Sequence, residues 1–133
     1  MLYTLKGGFV YHDNKIIKTN VVVLEGKITK IGEFEEGDII DVTGLYLAPS
    51  FIDPHVHMRE PGFTESETIK TGSLSASAGG YTHVFLMPNT NPVISTIEDY
   101  NNLLEIIKRD SVIEAIPLFS ITVDEKSEKL VDF

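Results

Sequence analysis

Apolar and polar positions alternate over short stretches at the start of the chain, and the period then lengthens. Tyr3-Thr-Leu-Lys, Phe9-Val-Tyr, Thr19-Asn-Val-Val-Val-Leu, Lys27-Ile-Thr-Lys-Ile and Asp38-Ile-Ile-Asp-Val are β-rich runs. Between them stand Gly7-Gly8, His12-Asp-Asn14, Glu25-Gly26, Glu35-Glu-Gly37 and Thr43-Gly44, all residues that favour turns. Glu25-Gly26, flanked by two such runs, reads as a hairpin turn. The pattern predicts part of a small β-sandwich lobe over residues 1–46, left incomplete by this chain.

Leu45-Tyr-Leu-Ala-Pro-Ser50 marks a boundary, and residues 47–133 read differently. A strand is predicted from Ala48 to Met58, closed by Glu60-Pro-Gly62. Thr64-Glu-Ser-Glu67 has the spacing of a capping box, in which hydroxyl and carboxylate satisfy each other's backbone amides. The helix that it opens runs to Ala78, and Gly79-Gly80 ends it with a left-handed residue. Tyr81-Thr-His-Val-Phe-Leu-Met87 is apolar nearly throughout, as a parallel strand covered on both faces requires. Ser95-Thr-Ile-Glu98 reads as a second capping box. Ile97, Tyr100, Leu103, Leu104 and Ile107 then recur at helical spacing as far as Arg109. A third strand is predicted over Ser111–Thr122 with a bulge or an early irregularity at Pro117, and a further helix from Glu125 to Phe133. The alternation makes this region α/β, with two to three βα units.

The candidate chemistry lies in Phe51-Ile-Asp-Pro-His-Val-His-Met-Arg-Glu-Pro-Gly62. Side chains alternate faces along a strand, so His55 and His57 point the same way with Val56 turned into the packing. Two imidazole nitrogens converging at a strand end suit zinc or a similar divalent ion. Arg59 follows on the same side, where a guanidinium suits an anionic substrate. Asp53 shares the parity of the pair and is expected to orient a ligating ring. Taken alone, a His-x-His pair is about as often structural as ligating. His83, early in its strand, and His12, in a polar turn, read as structural and surface residues, and Tyr46 and Phe51 as packing residues.

Four ordered blocks sharpen this reading: the Phe51–Gly62 stretch, Glu67-Thr-Ile-Lys-Thr-Gly72, Ala78-Gly-Gly-Tyr-Thr82 and Met87-Pro-Asn-Thr-Asn-Pro92. Together they resemble the amino-terminal part of a dihydroorotase of the amidohydrolase superfamily, with Leu130-Val-Asp-Phe133 also matching and Ser50 standing where the family has glycine. The resemblance implies an α/β fold in which the β-sandwich lobe precedes the first βα units of a metal-dependent (β/α)8 barrel. It implies reversible hydrolysis and cyclisation between dihydroorotate and N-carbamoyl-aspartate, a step of pyrimidine synthesis. His55 and His57 would ligate zinc, with two ions in the complete enzyme. His57, Arg59 and Asn89 would face the substrate, the last two holding its carboxylate. Hydantoinase- and allantoinase-type enzymes share the histidines but generally lack the arginine, so Arg59 favours an acidic substrate over that alternative. A non-catalytic relative is a further alternative, and a cupin-like barrel is disfavoured by the two capped helices.

Length and charge then limit the reading. A (β/α)8 barrel takes about 250 residues, so 133 residues are expected to be a piece. The general base and remaining ligands would lie on later strands, no catalytic residue is assigned here, and the chain alone is expected to be inactive. Twenty acidic against eleven basic residues give a net charge of −9, which argues against nucleic acid or an anionic membrane as partner. The partners expected are a small anionic substrate, the rest of the barrel and, as an option, further copies of the chain. Without cysteine there is neither a disulfide nor a thiolate site. No apolar run of transmembrane length and no secretory leader are visible, so a cytoplasmic protein is expected.

Overall fold

The structure, a computed structural model, describes residues 1–132. The chain forms two compact units, Met1–Pro49 and the residues from Ser50 onward.

In the first unit, strands β1 (Leu2–His12), β2 (Lys15–Leu24), β3 (Lys27–Gly32), β4 (Asp38–Asp41) and β5 (Tyr46–Leu47) form one sheet. Its order is β3-β2-β1-β4, with β5 also on β1. The described residues of this unit thus make one sheet, and the lobe expected here is an incomplete one. Two tight hairpins join the antiparallel strands, and their central pairs, Asp13-Asn14 and Glu25-Gly26, all have positive φ, as mirror-image hairpin turns require.

Gly7-Gly8 does not separate two strands. β1 runs through it with a bulge, the register passing from Leu5 opposite Val21 to Gly8 opposite Thr19. The buried Asn20 makes the bulge tolerable, since its Oδ1 accepts from the Gly7 amide at 3.0 Å. Val10, Val21 and Val23 form the core of this unit. Thr4 is fully buried, with its hydroxyl donating to the Glu36 carbonyl and accepting from the Glu36 amide.

In the second unit, β6 (Phe51–Val56), β7 (Tyr81–Leu86) and β8 (Glu114–Pro117) pair in parallel in that order. They are linked through α1 (Ile69–Ala78) and α2 (Ile97–Asp110), the expected α/β alternation. Met58, Ile69, Val84, Leu86, Ile94, Leu103 and Ala115 form the core between sheet and helices. The predicted element types hold up to β8, while several boundaries move. α1 is capped by Thr68, whose hydroxyl accepts from the Thr71 amide at 3.1 Å while the Thr71 hydroxyl accepts from the Thr68 amide. Thr64–Glu67 instead belongs to the preceding turns. α2 is capped by Thr96, not Ser95, which is buried. At Pro117 there is no bulge, and β8 ends there, short of Thr122, which is the early irregularity expected.

Among the described residues no α-helix starts at Glu125. Asp124, Glu125 and Ser127 take positive φ, and a short 3-10 turn leads into a bridge between Thr122 and Leu130. Phe133, the last residue of that predicted helix, lies outside the described residues. No helix among the described residues is long and apolar enough to cross a membrane.

Candidate metal-binding site

The site is built at the carboxyl ends of β6 and β7. The Met87 amide donates to the Val56 carbonyl at 2.9 Å, which ties the two strand ends together and lets the chains beyond them diverge side by side. Between Asp53 and Val56 the pairing with β7 slips by one residue, so the regular register is broken across Pro54 and His55. Asp53 drives this local turn, its carboxylate accepting from the His55 backbone amide at 3.0 Å. The contact shown for Asp53 is thus to the backbone of His55.

His55 and His57 nevertheless converge. Their Nε2 atoms stand 3.1 Å apart and the rings meet edge to face, with centroids 5.0 Å apart at 64°. Two imidazole nitrogens bound to one tetrahedral zinc at about 2.0–2.1 Å would be about 3.3–3.4 Å apart, so a few tenths of an ångström separate the observed pair from that geometry. Both rings are exposed, and the shared point between them is open to solvent. The donor set thus fits part of a zinc site. Among the described residues no cluster of three or more histidine, aspartate, glutamate or cysteine side chains completes it. One oxygen of Asp53 accepts from the His55 amide, and Glu60 accepts from the Ile69 amide at 2.8 Å, which places it at the start of α1.

Asn89 lies on the loop after β7, and its Oδ1 is 2.8 Å from His57 Nδ1. The loop is braced internally, the Thr90 hydroxyl donating to the Pro92 carbonyl at 2.8 Å and the Ile94 amide to the Pro88 carbonyl at 3.0 Å. It is also tied to the loop after β6, since the Asn91 amide donates to the Pro61 carbonyl at 3.2 Å. These bonds bring His55, His57 and Asn89 into one connected group.

Arg59 is placed differently. Its carbonyl accepts from the Phe63 amide at 2.8 Å. Its guanidinium is exposed and has neither an ion pair nor a hydrogen-bond partner among the described residues. The predicted site residues thus divide into a bonded set of three and one free cation. The contributions of Glu60 and Thr90 escape the sequence reading, because each acts through a backbone group whose position depends on the folded loops. His83 bonds the adjacent Thr82 hydroxyl at 2.9 Å, and His12 lies 3.5 Å from the Asp13 carboxylate; neither belongs to this group.

Residues 44–133 match a family model described as Dihydro-orotase-like. Over 131 residues the chain is 44% identical to a protein from Fusobacterium nucleatum subsp. nucleatum named dihydroorotase, covering 96% of this chain and 31% of that one. It is 39% identical over 137 residues to a dihydroorotase from Bacillus thuringiensis, covering 100% of this chain and 32% of the relative. The chain therefore spans about a third of the length of these relatives. Among solved structures, a D-hydantoinase superposes with a TM-score of 0.76 at 24% identity, over 92% of this chain and 28% of that one. The D-hydantoinase (dihydropyrimidinase) of a Thermus species gives 0.63 at 30% identity, over 94% and 29%. The amidohydrolase likeness of the fold, the family match and the named relatives agree, and the chain belongs to the dihydro-orotase-like family.

Proposed function

We propose that this chain is the amino-terminal part of a cytoplasmic dihydroorotase, a zinc-dependent enzyme that interconverts dihydroorotate and N-carbamoyl-aspartate. In this reading the second unit is the start of a (β/α)8 barrel, and the later strands supply the other ligands and the general base. The observation that carries the proposal is the 3.1 Å convergence of His55 and His57 Nε2 atoms beside Asn89.

The roles follow from the chemistry of each group. His55 and His57 hold a metal through neutral nitrogens, so any proton on a ligating atom has to leave first. The chemistry supplied by a bound zinc pair is activation of water at neutral pH and polarisation of the ring carbonyl. Among the described residues no group engages the Arg59 donors, and the planar fork of a guanidinium matches a carboxylate with two parallel bonds. Asn89, whose oxygen faces His57, keeps its Nδ2 hydrogens for the same carboxylate, and His57 borders the substrate. A second reading, a hydantoinase-type enzyme, is favoured by the names of the structural relatives. Arg59 speaks against it, since an unpaired guanidinium in a closed site weakens binding of a ligand without a carboxylate.

Two measurements test the proposal. Zinc added to the chain should shift the ring resonances of His55 and His57 ahead of those of His12 and His83, with weak affinity because only two ligands are in place. The chain should also be exchanged for the matching part of the Fusobacterium relative and assayed for turnover. Cyclisation of N-carbamoyl-aspartate that disappears with His55→Ala and His57→Ala supports the proposal. Zinc shifts confined to the other histidines would remove its metal basis, and a chimaera that turns over only carbamoyl-β-alanine would favour the hydantoinase reading.

A further inference from the structure

We propose that Asn89 is a positioning residue for His57. In this proposal its side-chain oxygen fixes the ring with the proton on Nδ1 and turns the bare Nε2 toward His55, leaving its amide nitrogen to meet a substrate carboxylate. The inference deepens, and rests on, the reading of the two histidines as metal ligands.

The argument starts from the inventory of protons. An amide oxygen only accepts, so the 2.8 Å contact between Asn89 Oδ1 and His57 Nδ1 requires the hydrogen to sit on Nδ1. A neutral imidazole carries one N–H, so His57 Nε2 is left with a lone pair. That nitrogen lies 3.1 Å from His55 Nε2, and the contact is a hydrogen bond only if His55 carries its proton on Nε2. The two rings, two residues apart, are thereby assigned opposite tautomers. His57 is ready to ligate, whereas His55 has to move its proton to Nδ1 first.

Asn89 also links two functions through one conjugated group. Donation from Nδ2 to an anion draws electron density toward Oδ1 and strengthens the bond that Oδ1 accepts. A carboxylate held by Asn89 would therefore make His57 Nε2 a better donor to a metal. By linkage, a metal on His57 would tighten the grip on the carboxylate. Among the described residues, Asn89 is the amide side chain hydrogen-bonded to a candidate ligand ring.

The test uses the chain as it is, labelled with ¹⁵N, at about pH 8.5, where histidine is ordinarily neutral. Long-range proton–nitrogen correlations then show which ring nitrogen is bare. The expected result is Nδ1–H for His57 and Nε2–H for His55. Asn89→Asp, which keeps an acceptor oxygen, should preserve this pattern, and Asn89→Ala should release His57 to the Nε2–H form, with His83 unchanged as an internal reference. Zinc affinity, measured by competition with a chromogenic chelator, should fall about 10- to 100-fold in Asn89→Ala and less in Asn89→Asp. Nε2–H on His57 in the unaltered chain overturns the proposal, as does a His57 tautomer that Asn89→Ala leaves in place. The unaltered chain alone decides the first point, so a variant that fails to fold does not shelter the idea. If the tautomers are as stated and zinc does not bind at the pair, the metal reading falls and the role of Asn89 toward His57 stands.

Discussion

A Cβ on Gly62 would lie 2.2 Å from the carbonyl oxygen of Asn91 and 2.5 Å from the Asn91 Cβ. The loop that follows the histidines is thus pressed against the loop that carries Asn89, at a point where only a hydrogen fits. Gly62 also has φ of +97°, outside the range comfortable for other residues.

Gly62→Ala therefore meets two penalties at once. Left-handed backbone costs a non-glycine residue roughly 1–2 kcal/mol, and the clash with Asn91 adds a backbone displacement. The expected outcome is a loss of about 2–4 kcal/mol in urea unfolding of the second unit, within the range of strained-site substitutions. The loops should also separate, with the His57–Asn89 hydrogen bond weakened in the same nitrogen spectra. A variant as stable as the parent chain, with that bond intact, would show that the loops adjust freely.

Glu60 is the second tie between site and scaffold. Its carboxylate accepts from the Ile69 amide at 2.8 Å, one of the helix-start donors that the helix itself leaves unsatisfied, and Ile69 is fully buried. Glu60→Ala is expected to cost about 1–2 kcal/mol, while Glu60→Gln, which keeps an oxygen, should recover most of that. Amide hydrogen exchange reads the contact directly. The Ile69 amide should exchange faster in Glu60→Ala and near the parent rate in Glu60→Gln.

The same contact shows why some of the chain is legible in its sequence and some is not. The apolar run of β7 and the apolar period of α2 are legible because those residues have to meet one core, whereas α1 is read from the residues that flank it. The start of α1 is less legible: Thr64 and Thr68 both have cap chemistry, and the choice falls to Thr68 because Glu60 reaches the next amide from outside the helix. Ser95 and Thr96 are a similar pair, decided by Ser95 being buried in the fold. Gly7 resembles a turn until Asn20, thirteen positions away in sequence, takes its amide into a bulge. At the site, the histidine spacing announces a shared target and the family resemblance points to Asn89. The Asn89–His57 bond itself depends on two loops meeting and is invisible in either loop alone.

Asp41 in the first unit gives a pH prediction. The Thr43 hydroxyl and amide hold its carboxyl below the ordinary carboxylate range, with a smaller contribution from Lys6, and the Thr43 amide donates to Asp41 Oδ1 at 2.9 Å. A carboxyl whose folded pKa is depressed adds its stabilisation in full above the unfolded value, about 3.9. That contribution fades as pH falls through the lower folded value. The acid limb of an NMR titration should therefore place Asp41 below the free carboxylate. Thr43→Val removes the hydroxyl and should move the midpoint back up; an unchanged midpoint would assign the shift elsewhere.

Under the proposed function, substitutions of Arg59 should affect substrate recognition and leave folding and metal binding in place. Its guanidinium has no partner among the described residues, so Arg59→Met should change the stability of the chain by less than about 0.5 kcal/mol, as for ordinary surface substitutions. Zinc binding at His55 and His57 should also persist, because Arg59 is outside the hydrogen-bonded group. In the chimaera with the Fusobacterium relative the result should differ. A hydrogen bond to a charged partner contributes about 1.5–3 kcal/mol, roughly a 10- to 150-fold loss of kcat/KM for N-carbamoyl-aspartate at 1.4 kcal/mol per decade. Arg59→Lys should recover only part of it, since an ammonium supplies charge without the two-pronged geometry. Turnover of carbamoyl-β-alanine, which lacks the second carboxylate, should be nearly indifferent to either change. Equal losses on both substrates would mean that Arg59 serves the architecture of the site and does not read the carboxylate.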